Sequence, residues 1–180
     1  KELEYLGKAL QNPLHPYVAI VGGAKVSDKI LILENLLDRA TDIIISGGMA
    51  YTFFKAMGYE IGKSILDKDN VGLAGDLIRK AEEAGVRLLL PVDTTCAPEF
   101  DNNAPRTVYP RDQIPADLMG LDIGPATMEL FAKTMEGART IFWNGPMGVF
   151  EMDAFATGTF AVANVVAGLS AITIIGGGDT

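Results

Sequence analysis

The feature that most constrains this chain is a repeated unit in which a short apolar run stops at Gly, Pro or Asn and gives way to a helical pattern. Such runs fall at 17–21 (YVAIV), 42–46 (DIIIS), 87–90 (RLLL), 140–143 (TIFW) and 172–175 (ITII). They are brief and β-branched or Leu-rich, as buried strands are. Helical periodicity occupies about 25–38, 49–57, 71–84 and 125–136. Strand-then-helix order favours a parallel sheet with helices on both faces, because each crossover lays a helix on the sheet. The expectation is a single α/β domain over 1–180, doubly wound and Rossmann-like. The connection from Pro91 to Gly120 is rich in Pro, Asp and Asn and reads as a loop with one or two short strands, Thr107 to Tyr109 among them. Residues 1–12 carry Leu3, Leu6 and Leu10 on one helical face and stop before Pro13. They read as an interdomain helix or as a cap on this domain's own core.

Composition closes off several classes of function. A net charge of −8 without a block of basic residues argues against nucleic acid as a partner, so any anion site must be local. One cysteine, Cys96, and one histidine, His15, leave little material for a disulfide framework, a zinc site or a Cys-His nucleophile, and fit a reducing, cytoplasmic compartment. The first ten residues, KELEYLGKAL, lack an apolar h-region, and the missing initiator Met points to a fragment. Residues 154–178 are uncharged and long enough to imitate a membrane span, but Thr157, Gly158, Thr159, Asn164, Gly168 and Ser170 interrupt them. A buried helix over 155–167 followed by a strand explains the stretch better.

Ligands of open α/β sheets sit beyond the carboxyl ends of the strands, and here those ends are marked by glycine. Gly22-Gly23-Ala24-Lys25, Ser46-Gly47-Gly48, Asn144-Gly145-Pro146-Met147-Gly148 and Gly176-Gly177-Gly178-Asp179 follow four of the runs. Bare backbone lets N–H groups approach a phosphate or a flat ring. Lys25 and Lys29, placed at i and i+4 of a helix start, would repel each other and oppose the helix dipole unless an anion lay beside them. GYEIGKS, 58–64, has three residues between its glycines where a Walker A loop has four, so Lys63 reads as an ordinary loop lysine; GGAKVS is not a dinucleotide fingerprint. Asp179 suits Mg²⁺ or a helix cap, Glu151 suits ribose hydroxyls or the first turn of a helix, and Asp93 reads as a loop or capping residue. Asn144 is a candidate ligand contact, whereas Trp143 reads as core and His15 as structural.

Taken together, AIVGGAKVSDKI, GGMAYTF, LPVD, LDIGP, WNGPMGVFE, FATGT and IIGGGDT resemble, in order and separation, the C-terminal nucleotide-binding lobe of phosphoglycerate kinases over essentially the whole chain. The resemblance implies phosphoryl transfer between 1,3-bisphosphoglycerate and ADP, giving 3-phosphoglycerate and ATP, in glycolysis. It places Gly22, Gly23, Ala24, Gly47, Gly48, Gly120, Leu121, Pro146 and Val149 around adenine and ribose, with Glu151 on the ribose hydroxyls. Lys25, Lys29 and Asn144 would meet the phosphates, Lys29 on the nucleotide chain and Lys25 on the phosphoryl in flight. Gly177, Gly178, Asp179 and Thr180 would cradle phosphate, with Asp179 serving Mg²⁺. Ser46 departs from the glycine usual in the family. The family's N-terminal lobe, with its basic substrate patch and arginine, is absent, as is the C-terminal segment. The resemblance therefore implies a cytoplasmic, membrane-free piece of a monomeric enzyme that binds ADP or ATP without turning over alone. A non-catalytic nucleotide-binding or interaction module is the alternative, and an unrelated dehydrogenase is disfavoured by the missing fingerprint.

Overall fold

The computed structural model describes residues 11–176. The expected strands form at β1 (Tyr17–Gly22), β2 (Asp42–Ser46) and β3 (Arg87–Leu89). Three more follow at β4 (Asp93–Ala97), β5 (Thr107–Pro110) and β6 (Met119–Ile123), and the last two at β7 (Thr140–Asn144) and β8 (Ile172–Gly176). The helices are α1 (Ile30–Leu36), α2 (Met49–Ala56), α3 (Val71–Ala84), α4 (Pro125–Met135) and α5 (Thr157–Ala167). Five strands make one sheet in the order β3-β2-β1-β7-β8, with every pairing parallel. The α/β expectation therefore holds.

Side-chain alternation along each strand divides the core in two. From β1, Tyr17, Ala19 and Val21 join a cluster with Leu33 of α1, Phe53 and Phe54 of α2 and Leu77 of α3. Val18 and Ile20 point the other way, against Phe131 and Met135 of α4 and Val162 and Val166 of α5. Ile43 and Ile45 of β2 face the first cluster while Ile44 faces the second, so the sheet is covered on both faces. Phe53, Phe54 and Phe131 are fully buried, each contributing roughly 1.5–3 kcal/mol of burial free energy. Trp143 and the 155–167 stretch lie in this packing as expected, and among the described residues no helix is long and apolar enough to cross a membrane.

The structure adds a second layer to the 91–120 connection. β4, β5 and β6 form a three-stranded antiparallel sheet in the order β5-β4-β6, larger than the one or two strands expected. Asp93 is a capping residue, as the sequence allows. Its carboxylate accepts hydrogen bonds from the Ala126 and Thr127 amides at 3.0 and 2.9 Å and from Thr127 Oγ1, so β4 is pinned to the start of α4.

A second correction concerns the helix expected over 25–38. It is broken into a single 3₁₀ turn, Val26–Asp28, and α1, and neither lysine lies inside a helical segment. Lys25 precedes the turn in extended conformation (φ −126°, ψ 137°), and Lys29 sits at the break between the two segments (φ −118°, ψ 2°). The i, i+4 repulsion argument therefore does not apply. The expected helix over 1–12 lies almost wholly outside the described residues.

Because Asp93 supplies most of the hydrogen bonds that start α4, Asp93→Ala is expected to lower stability by about 2 kcal/mol, the upper end for a lost helix cap. A urea-unfolding series on both proteins measures it, and an unchanged midpoint would refute the capping role.

Candidate functional site

The connections from β1 run to β2 on one side, while β7 and β8 lie on the other, so the sheet changes direction between β1 and β7. Open α/β sheets form a crevice at this point. Here the strand ends meet backbone to backbone. A methyl at Gly22 would lie 2.3 Å from the Pro146 carbonyl oxygen, and one at Gly145 (φ +104°) would lie 2.1 Å from the Gly22 oxygen. The turn after β2 joins the same seam. Gly47 (φ +74°) has no room for a side chain against Gly23, its N–H donates to the Met147 carbonyl at 3.3 Å, and the Met49 N–H donates to the Gly23 carbonyl at 2.8 Å. Trp143 seals the seam from below, its Nε1–H donating to the Gly145 carbonyl at 2.7 Å. Ser46, the departure from the family pattern, is buried and its hydroxyl lies 3.4 Å from the Pro146 carbonyl.

Above the seam opens a cleft of about 420 Å³. Gly23, Ala24, Gly47 and Gly48 form one side, and Gly120, Leu121, Pro146 and Val149 contribute to the other. All of these were expected from the sequence. The second side is built by β6. The Gly120 N–H donates to Ser64 Oγ at 2.9 Å, and the Val149 N–H donates to the Leu121 carbonyl at 2.9 Å. A side chain at Gly120 would strike Tyr51, whose hydroxyl shares a 2.7 Å hydrogen bond with Thr94 Oγ1 and whose ionisation burial pushes far up. Tyr51 therefore stays neutral at any physiological pH.

The remaining expected residues are placed as follows. Gly22 is buried in the seam beneath the cleft and does not line it. Lys29 lies beside it, with its stem along Gly23 and its Nζ donating to Asn144 Oδ1. Lys25 is exposed. Neither ammonium forms an ion pair with a carboxylate among the described residues. The acidic group nearest to Lys25 in effect is Asp67, held below the ordinary carboxylate range first by donation from Asn70 Nδ2, then by Ser27 and by the Lys25 charge. Glu151 is exposed on the turn beyond Val149 and does not line the cleft. Its alternative role in a first helical turn is set aside, because the 3₁₀ turn begins at Asp153 and α5 at Thr157. Gly177, Gly178, Asp179 and Thr180 lie outside the described residues.

Other residues lining the cleft were not foreseen: Tyr51, Lys63, Ile65, Phe100, Met119, Met147 and Gly148. Lys63, read from the sequence as an ordinary loop residue, is brought there by tertiary contacts. Gly62 (φ +58°) packs on the Pro115 and Leu118 carbonyls, and the Lys63 N–H donates to the Leu118 carbonyl at 2.8 Å. Phe100 is 61% exposed on the loop after β4, and a large aromatic left in water on a polar loop was the one local signal available.

One buried carboxyl braces the wall. Asp122 is 3% exposed, and its oxygens accept from the Ile123 N–H at 2.8 Å and the Gly158 N–H at 2.9 Å. A methyl at Gly148 or Gly158 would meet it within 2.6 Å, so it is wedged between the cleft's turn and the start of α5. Burial pushes its pKa up to about 7, against the pull of the two N–H donors.

The fold and the site together define a doubly wound α/β domain with a ligand cleft at its switch point. The family model described as phosphoglycerate kinase matches residues 1–180, and the chain belongs to the phosphoglycerate kinase family. Phosphoglycerate kinase of Enterococcus faecalis is 55% identical over 181 residues, and that of Moorella thermoacetica 55% identical over 180. The chain is covered completely in both matches and spans 45% and 46% of those relatives. Among solved structures, phosphoglycerate kinase from Coxiella burnetii superposes with a TM-score of 0.96 at 49% identity, over 99% of this chain and 46% of that one. The Pyrococcus horikoshii enzyme gives 0.83 at 29% identity, over 98% and 45%.

The Asp122 carboxyl makes stability depend on pH with a definite sign. Between about pH 4 and pH 7 the folded chain keeps a proton that the unfolded chain has released, so stability falls as pH rises through that window, by up to roughly 4 kcal/mol. Asp67 acts oppositely, its contribution being lost only as pH falls into the acidic range. Urea midpoints at pH 5.5 and pH 8 are expected to converge in Asp122→Asn, and an unchanged gap would overturn the assignment.

Proposed function

We propose that this chain is the nucleotide-binding domain of a phosphoglycerate kinase and seats Mg-ADP or Mg-ATP in the cleft between Gly23–Gly48 and Gly120–Val149. The observation that carries this reading is the juxtaposition of two unlike surfaces. A bare-backbone floor and an apolar wall suit a flat base and its sugar, and beside them Lys29 stands on a neutral partner. The Asn144 amide orients the ammonium without cancelling its charge, so the full positive charge remains for phosphate oxygens. Phosphoryl transfer asks chiefly for positioning and charge stabilisation, and that is what these groups supply.

In this reading Lys29 and Asn144 hold the nucleotide's phosphate chain, and the exposed Lys25 approaches the phosphoryl group in transit to or from 1,3-bisphosphoglycerate. Glu151, one turn beyond Val149, would reach ribose hydroxyls from the rim. No group of three or more His, Cys, Asp or Glu able to hold a metal occurs among the described residues. That fits Mg²⁺, which usually keeps its waters and phosphate oxygens and takes only one or two carboxylates, here that of Asp179. Bound with the nucleotide, the ion would neutralise phosphate charge. The phosphoglycerate substrate, the glycolytic role and turnover itself would require the portion of the family's length that this chain does not span.

Calorimetric titration with MgADP is expected to give a Kd between micromolar and millimolar, equivalent to about 4–8 kcal/mol. Lys29→Ala should weaken it about tenfold or more, as loss of a charge-assisted contact does, and NADH should give no heat. Silence at millimolar MgADP, or an unaltered Kd in the variant, would refute the reading.

A further inference from the structure

We infer that Lys63 reads the nucleobase and admits 6-oxopurine nucleoside diphosphates to the cleft alongside adenine ones, an inference that rests on the nucleotide reading above. Among the described residues, Lys63 is the only one lining the cleft with a charged side chain. It stands on the side formed by the antiparallel sheet and its loops, among Ile65, Phe100 and Met119, away from the Lys29–Asn144 pair. An ammonium in apolar company needs a reason.

Its position is set at both ends. The backbone is fixed by the Leu118 carbonyl, and Nζ donates to the Pro98 carbonyl at 2.7 Å. An ammonium carries three donors, and no described residue takes the other two. A tethered cation with two free N–H groups at the cleft rim is matched by two acceptors on one edge of a ring. The O6 and N7 atoms of guanine or hypoxanthine form such an edge, which lysine commonly recognises. Adenine offers N7 beside an amino donor, so it satisfies one N–H and opposes the other. Adenine binding then depends on the glycine floor and apolar wall, and 6-oxopurine binding depends additionally on Lys63.

The test is calorimetric titration of the protein with MgADP, MgGDP and MgIDP, repeated on Lys63→Met, which keeps the stem and removes the donors, and on Lys63→Arg, which restores donors. In the wild type, MgGDP and MgIDP are expected to bind at least as tightly as MgADP. Lys63→Met should weaken both about tenfold while leaving MgADP within about twofold, and Lys63→Arg should recover most of the loss. If MgADP binds but Lys63→Met weakens all three nucleotides alike, or MgGDP and MgIDP bind the wild type more than tenfold less well than MgADP, this inference falls and the nucleotide site stands. If MgADP itself gives no heat, both fall.

Discussion

Everything at the cleft depends on three strand ends that touch without side chains. Gly22, Gly47 and Gly145 let the turns after β1, β2 and β7 close to backbone distance, and the hydrogen bonds from Gly47 and Met49 cross the seam. A side chain at any of these positions would wedge apart strands that are paired residue for residue, such as Gly22 with Ser46 and Val21 with Asn144. Two of the three glycines also hold a left-handed backbone that other residues adopt only at a cost of order 1–3 kcal/mol. The glycines are thus first a packing solution. The smooth floor they leave is the by-product that makes a ligand site.

The wall opposite has a different origin. β6 belongs to the small antiparallel sheet, so the cleft lies between two sheets of unlike construction. Hydrogen bonds from Gly120 to Ser64 and from Val149 to Leu121 hold that wall to its neighbours, and Asp122 wedges it against α5. The Lys29–Asn144 pair spans from the break before α1 to the end of β7, which ties the charged end of the site to the seam itself.

How much of this was legible in the sequence follows from what is local. The five parallel strands were legible because each is an uninterrupted apolar run buried on both faces, and the glycine turns because they follow those runs directly. The antiparallel strands were not, since DTTCA and MGLDI mix polar and apolar residues and are short. The break at Lys29 was hidden because apolar spacing continues smoothly across it into Ile30, Ile32 and Leu33. Tyr51, Lys63 and Phe100 reach the cleft through packing between segments far apart in the chain, and nothing in their neighbours announces it. For Lys63 the near-miss to a known phosphate loop pointed away from a role, when its position was set instead by carbonyls more than fifty residues later.

Trp143 is the chain's single tryptophan, and its indole N–H is bound to the Gly145 carbonyl in the seam. The indole therefore serves as an intrinsic fluorophore wired to the floor of the cleft, with no second emitter of its kind to confuse the signal. Any rearrangement of the Gly145–Pro146 turn would alter the polarity and hydrogen bonding that set its emission wavelength, so the protein carries its own optical gauge of the state of that turn.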